Sequence, residues 1–502
     1  MNARSLLLAL PVCVALIFAA PRTALADLEM FEITELQASG RVVTAEFADF
    51  NGDGVTDLMT ATLDGVPPTE SRQLHVYLGQ PDGSFPPLPS HSMSIPELGS
   101  VYDIADLRET PGDELIVLRP DGVTIVSLAD ATAREWHLAV EGPTTVGAGP
   151  DERGFDPYRL VYDDFGDQPW ILVPQIGQVS ALLGDGTALG AMDVGRRTNY
   201  FVSKSEGLLS IETDIQLYMD APKLSIGDVD GDGLADVVAS TRHELRVFLR
   251  KADGGFPVDA SYALPIGLID REDHARGSGS VVTSVRDLDG DGRLDLMISH
   301  SAGNFTKAET TTYVYHNRDG QWLLGEPDDR FDSTGALTSD LLLDIDSDNR
   351  LELVRVQVRF SVFELVEFLL TREIDVHVAV HRVEADGSYD IKPWSKRKIS
   401  TEVSFDTFRP KGFMPTSGVD VDNDGRMDFI ASDAGKGIEV YLGSEEGLFS
   451  RQRFLQKLPS AGVIRFRDYD GDELPDFILW DPQAFDAIFR IGRNTGAFET
   501  SD

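Results

Sequence analysis

The chain has 502 residues, 42% apolar and 25% charged, with a formal charge of −40 at pH 7. A charge of that size and sign repels nucleic acid and anionic membrane and favours cations. The single cysteine, Cys13, rules out a disulfide framework and a thiolate metal site.

Taken in chain order, the first 26 residues read as an export leader. Arg4 supplies a basic start, Leu6 to Ala20 an apolar run, and Ala24-Leu25-Ala26 a small-residue cleavage site before Asp27. The run is too short and too early for a transmembrane helix, so none is expected in the mature chain. The expected location is secreted or periplasmic. Cleavage removes Cys13 and two arginines, Arg4 and Arg22, leaving 84 acids against 42 basic residues and no thiol for nucleophilic chemistry.

A nine-residue segment then recurs six times. Position one is Asp49, Asp228, Asp287, Asp344, Asp420 and Asp468. Position three is Asn51, Asp230, Asp289, Asp346, Asp422 and Asp470, and position five Asp53, Asp232, Asp291, Asp348, Asp424 and Asp472. Position nine is Asp57, Asp236, Asp295, Glu352, Asp428 and Asp476. Two decayed copies fall in phase, one from Asp106 to Glu114 and one around Asp163 to Asp167. Successive starts lie 57, 57, 65, 59, 57, 76 and 48 residues apart. A single Asp–Gly-rich stretch is an ordinary turn, but six in phase are a repeat.

Carboxylates at positions one, three, five and nine of a tight loop are the hard oxygen ligands that calcium takes. The backbone carbonyl of position seven adds another from Val55, Leu234, Arg293, Arg350, Arg426 and Leu474. Position six calls for a left-handed backbone, and Gly54, Gly233, Gly292, Asn349 and Gly425 suit it, with Glu473 the departure. About six calcium ions are therefore expected. The loop is neither an EF-hand nor a dockerin, because position twelve holds Thr60, Ala239, Ile298, Arg355, Ala431 and Leu479 rather than an acid. Positions two and ten are apolar throughout, and short β-rich runs flank each loop, which predicts a turn between strands.

A second signal follows each loop after a further strand: a glycine turn and then an aromatic. It appears as Gly83-Ser-Phe85, Gly254-Gly-Phe256, Gly320-Gln-Trp322, Gly387-Ser-Tyr389, Gly447-Leu-Phe449 and Gly496-Ala-Phe498. Four strands per period is a propeller blade. On these residues the chain resembles the FG-GAP or VCBS repeat family, whose members include the head of integrin α subunits. The Phe-Gly and Gly-Ala-Pro signatures of that family are absent. The resemblance covers the mature chain, 27–502, as one domain. It implies an all-β propeller in which the acidic loop joins the first two strands of a blade and binds calcium.

Eight repeats over the mature chain predict eight blades, with seven as the alternative. Leu28 to Leu36 is β-rich and is expected to complete the last blade, removing an exposed sheet edge. The longest interval carries an excess within Phe360 to Arg372, where Ser361 to Glu364 matches a capping box and predicts an inserted helix. Lys392-Pro-Trp-Ser-Lys-Arg-Lys398 is the densest basic run, either a solvated hairpin or a contact for an anionic partner.

No catalytic set stands out. The nine histidines show no metal spacing, and His377 and His381 share one face of a strand. There is no Gly-x-Ser-x-Gly elbow, and the glycine-rich loops are acidic, which excludes phosphate. The expected function is a non-catalytic binding or scaffold module for a protein or glycan. A polysaccharide lyase is one alternative. A lectin is another, and it requires exposed Trp136, Trp322 or Trp394.

Overall fold

The computed structural model describes residues 29–498 apart from 67–68, 110, 133, 147–153, 164–167, 196, 207–210, 271–278, 304–307, 360–372, 403–410 and 446. The export leader, most of the second decayed copy and the expected helix at 360–372 lie outside the described residues.

Eight antiparallel sheets follow one another as blades of an all-β propeller. Blade one is Arg41–Ala48, Asp57–Asp64, Ser71–Tyr77 and His91–Ser94. Blade two is Val101–Ala105, Glu114–Arg119, Gly122–Ser127 and Arg134–Ala139, with Asp156–Pro157 added in parallel on the first strand. Blade three is Val161–Tyr162, Trp170–Pro174, Gln178–Leu183 and Ala188–Asp193. Blades four to seven begin at Lys223, Ser280, Ala336 and Thr416 and end at Pro265, Thr334, Glu402 and Lys457. Blade eight is Val463–Arg467, Asp476–Trp480 and Ile488–Asn494, completed by Phe31–Gln37 from the start of the chain. Phe31 pairs with Asn494 and Gln37 with Ile488, so the first and last strands close the ring. The count is eight, not seven.

The apolar layers lie between blades rather than within them. Each of eight buried clusters draws side chains from two adjacent sheets, including the closing pair of blades eight and one. This explains the apolar positions two and ten of the repeat. Val421, at position two of blade seven, packs towards blade eight, while Phe429, at position ten, packs towards blade six. Every loop is thus pinned into both neighbouring interfaces. The turn aromatics serve the same layers: Phe256, Trp322, Tyr389, Phe449 and Phe498 are buried against the preceding blade.

Up-and-down connectivity sorts the turns onto two ends of the ring. The acidic loops join strands one and two, and the glycine–aromatic turns join strands three and four, so both lie at one end. Turns between strands two and three lie at the other, as do connections between blades. One of those connections carries a hairpin, Arg197–Glu206 with Ile211–Asp220, that stands outside the eight blades. It matches no part of the repeat, and the 65-residue interval from Asp163 to Asp228 accommodates it.

Among the described residues no helix is long and apolar enough to cross a membrane. An ion pair sits deep between blades five and six: Arg355 Nε donates to Asp340 Oδ1 at 3.0 Å, and both side chains are nearly inaccessible. Thr312 donates its hydroxyl to the other oxygen of Asp340, which satisfies the pair.

Candidate metal centres

All six loops fold by one hydrogen-bond scheme. The position-nine carboxylate is buried and accepts the N–H of position two, as in Val229 to Asp236 Oδ2 (2.9 Å), Leu288 to Asp295 Oδ2 (3.1 Å) and Ile345 to Glu352 Oε2 (3.0 Å). The same bond recurs at Phe50 to Asp57, Val421 to Asp428 and Tyr469 to Asp476. In five loops the other oxygen accepts an N–H from the end of strand three or just past it, from Gly79, Arg250, Asn317, Gly443 and Asn494. Position nine therefore ties three strands of its blade together. Hydrogen bonds to a charged group contribute about 1.5–3 kcal/mol each.

Position one shapes the loop. Its Oδ2 accepts the N–H of position six: Gly54 to Asp49 and Gly233 to Asp228 at 2.8 Å, Gly292 to Asp287 at 2.9 Å. Asn349 to Asp344, Gly425 to Asp420 and Glu473 to Asp468 repeat it. The N–H of position seven (Val55, Leu234, Arg293, Arg350, Arg426, Leu474) donates to position five at 2.8–3.0 Å. Position six is left-handed in every copy, and even Glu473 is held there, at φ 70°. Position four is left-handed as well, with Ser347 at 58° and Asn423 at 56°, a second backbone requirement beside that at position six.

This folding gathers carboxylate oxygens within 4.8 Å of one another. The groups include Asp228 with Asp230 and Asp236, Asp287 with Asp289 and Asp291, Asp344 with Asp346 and Asp348, and Asp420 with Asp422 and Asp428. In blade one, Asn51 turns its amide to Asp53 Oδ2 at 3.0 Å, so that loop gathers one acid fewer. Burial, followed by neighbouring carboxylates, opposes ionisation. The Asp57 and Asp236 carboxyls are pushed up to about 6, and those of Asp428, Asp476 and Glu352 to about 7, each primarily by burial. Asp422 is pushed up to about 6 by burial and then by Asp424 and Asp420. Its Oδ1 is buried without a hydrogen-bond partner. A set of all-oxygen, partly desolvated donors with an orphaned carboxylate oxygen fits a hard divalent cation.

Position three lies at the blade boundary. A Cβ on the turn glycine of the following blade would come within 2.8 Å of Asp289 Oδ2 at Gly387. At Gly320 it would come within 3.2 Å of the Asp230 backbone, and at Gly83 within 3.2 Å of Asp470 Cβ. At these three boundaries the two sequence signals work together, since the glycine leaves room for the neighbouring loop's position three.

Blade two retains part of the scheme. Glu114 is buried and accepts the Leu107 N–H at 2.9 Å, as position nine does elsewhere. Position three there is Arg108, which lies over Trp136.

The basic run Lys392 to Lys398 enters the outer strand of blade six, Ser395–Glu402. Lys398 pairs with Asp375 at 2.5 Å, and Arg397 donates to the Phe449 carbonyl. Trp394, Lys396 and Arg397 line a cleft of about 670 Å³ with Ser444, Ser450 and Arg451 of blade seven. Of the three tryptophans a lectin would need, Trp322 is buried and donates to the Leu294 carbonyl at 2.9 Å. Trp394 is half-buried beneath Arg382, and Trp136 is half-buried beneath Arg108.

Fold and loops together define an eight-bladed β-propeller with repeated acidic turns. Residues 228–298 and 420–479 match the family described as FG-GAP-like repeat. Among solved structures the chain is similar to the V. cholerae biofilm matrix protein Bap1. The identity is 12% over 92% of this chain and 89% of that chain, with a TM-score of 0.28. At that level the likeness bears on neither ligand nor activity. No curated protein matches the chain.

Proposed function

We propose that the protein is an exported, calcium-binding propeller that acts as a non-catalytic binding or scaffold module for a protein or glycan. The observation that carries the calcium part is the orphaned, buried Asp422 Oδ1 within a carboxylate cluster whose loop geometry recurs six times. Positions one, three, five and nine, with the position-seven carbonyl, would hold the ion. Calcium would neutralise the clustered acids. The residues themselves orient the loop and tie three strands through position nine. Extracellular calcium modules bind with Kd of about 10⁻⁴ to 10⁻³ M, so weak sites suffice outside the cell. Export rests on the leader that ends at Ala26.

The ligand surface we favour is the loop-bearing end, where the cleft between blades six and seven offers Lys396, Arg397 and Arg451 in an otherwise acidic molecule. The test is a glycan array probed in millimolar calcium and again after metal removal, with bound glycans then checked for cleavage. Calcium-dependent binding without cleavage supports this function. Cleavage products would replace it with an enzymatic one, and a blank array would assign the surface to a protein partner, sought next by pull-down.

A further inference from the structure

The six loops differ in what faces the position-three side chain. The strand register identifies one equivalent place in each of the six blades that carry these loops, the residue just past the strand-three partner of position ten. Position ten pairs as Leu58 with Tyr77, Val237 with Phe248, Leu296 with Tyr315, Leu353 with His381, Phe429 with Tyr441 and Phe477 with Gly492. The next residue is Leu78, Leu249, His316, Arg382, Leu442 or Arg493.

Where that residue is polar, it reaches position three. Arg493 Nε donates to Asp470 Oδ2 at 2.6 Å, and an Arg382 guanidinium nitrogen lies 3.7 Å from Asp346 Oδ2. His316 Nδ1 occupies the same place in blade five, 3.7 Å from Asp289 Oδ2. Where it is leucine, position three has no such neighbour. In blade one this costs nothing, because Asn51 is neutral. In blades four and seven the register puts Leu249 and Leu442 at that place, which offer Asp230 and Asp422 no charge, while the Arg293 guanidinium of the next blade lies against Gly231. The cation in the blade-seven loop, Arg426, contacts Asp424 at 3.1 Å and leaves Asp422 Oδ1 without a partner.

We infer that Arg382 and Arg493 are built-in counter-cations that weaken calcium at their loops, so that the loops 228–236 and 420–428 are the high-affinity sites. This rests on the proposed calcium binding. A guanidinium beside position three neutralises one carboxylate before any ion arrives and competes for the same oxygen. A leucine leaves the carboxylate's full charge to the metal. The ring then fills in two stages as calcium rises, blades four and seven first. Blades six and eight keep their loops partly compensated when calcium is scarce.

The test is calcium titration by calorimetry on the metal-stripped full chain, for wild type, Arg493→Leu, Arg493→Lys and Leu442→Arg, with melting temperatures alongside. Two affinity classes are expected in wild type. Arg493→Leu should tighten one weak site by about tenfold, a shift of about 1.4 kcal/mol. Arg493→Lys should keep the wild-type pattern, since it restores the charge. Leu442→Arg should remove one tight site and lessen the loss of melting temperature on metal removal. Arg493 is half-exposed, so its replacement reports even if Leu442→Arg fails to fold. If wild type binds no calcium, the proposed calcium binding falls. If calcium binds but Arg493→Leu titrates as wild type does, the two-class inference alone is overturned.

Discussion

Blades two and four use the same turn to different ends. In blade four, Asp236 accepts backbone N–H groups from Val229 and Arg250, while Asp228, Asp230 and Asp236 crowd within 4.8 Å. In blade two, Glu114 keeps the bond to Leu107, but position three has become Arg108. The strand arrangement and the interface packing survive in both. The comparison separates two jobs that the sequence motif fuses. Position nine is a folding pin, whereas the acid at position three adds charge that the blade itself does not need.

Breaking the pins tests that separation with the largest expected effect. Asp236→Ala leaves two buried N–H groups without acceptors and should cost about 3–5 kcal/mol. The loss should be greater in calcium than in metal-stripped protein, because a ligand goes with the pin. Glu114→Ala should cost about 1–3 kcal/mol, and equally with or without calcium. Denaturant unfolding of both variants under both conditions provides the check, and a calcium-dependent loss at Glu114 would merge the two jobs again.

The pH dependence sharpens the contrast at the acidic loops. Burial raises the folded-state pKa of Asp57 and Asp236 to about 6 and of Asp428, Asp476 and Glu352 to about 7. These values exceed those of the unfolded chain, so between about pH 4 and 7 the folded state binds more protons. Metal-stripped protein should therefore become more stable as pH falls from about 8 to about 5. In calcium the trend should reverse, because protons displace the ion that holds the ionised form. Thermal melts of dialysed protein across this range report the sign directly.

The smallest effect is expected at Glu473, the non-glycine held at φ 70° at position six of blade eight. Glu473→Gly relieves a left-handed side-chain clash and should stabilise the protein by about 0.5–1 kcal/mol. Chemical denaturation resolves that gain, and a loss would mean that the Glu473 side chain has a role in the loop.

Much of this architecture was legible in the sequence, for identifiable reasons. Local periodicity fixed the loops, because each needs the same acids and left-handed backbone within nine residues. The closing strand at Phe31–Gln37 was legible because Leu28 to Leu36 is β-rich and pairing it removes an exposed sheet edge. The cations at position three were not. Leu78, Leu249, His316, Arg382, Leu442 and Arg493 follow position nine by 21, 13, 21, 30, 14 and 17 residues. Hairpins of different length separate them, so no fixed spacing marks the place, and only the register between strands two and three does. The hairpin at Arg197–Glu206 and Ile211–Asp220 escaped for a related reason: it belongs to no repeat, so periodicity is silent about it.

The most direct test of the account is differential scanning calorimetry of the metal-stripped chain against the same protein in increasing calcium. Binding confined to the folded state stabilises it by mass action, by about 2.7 kcal/mol per site at a hundred times Kd. If the acidic loops hold calcium, the melting temperature climbs with the logarithm of calcium concentration and returns to its starting value on chelation. Superimposable melts with and without calcium would contradict it.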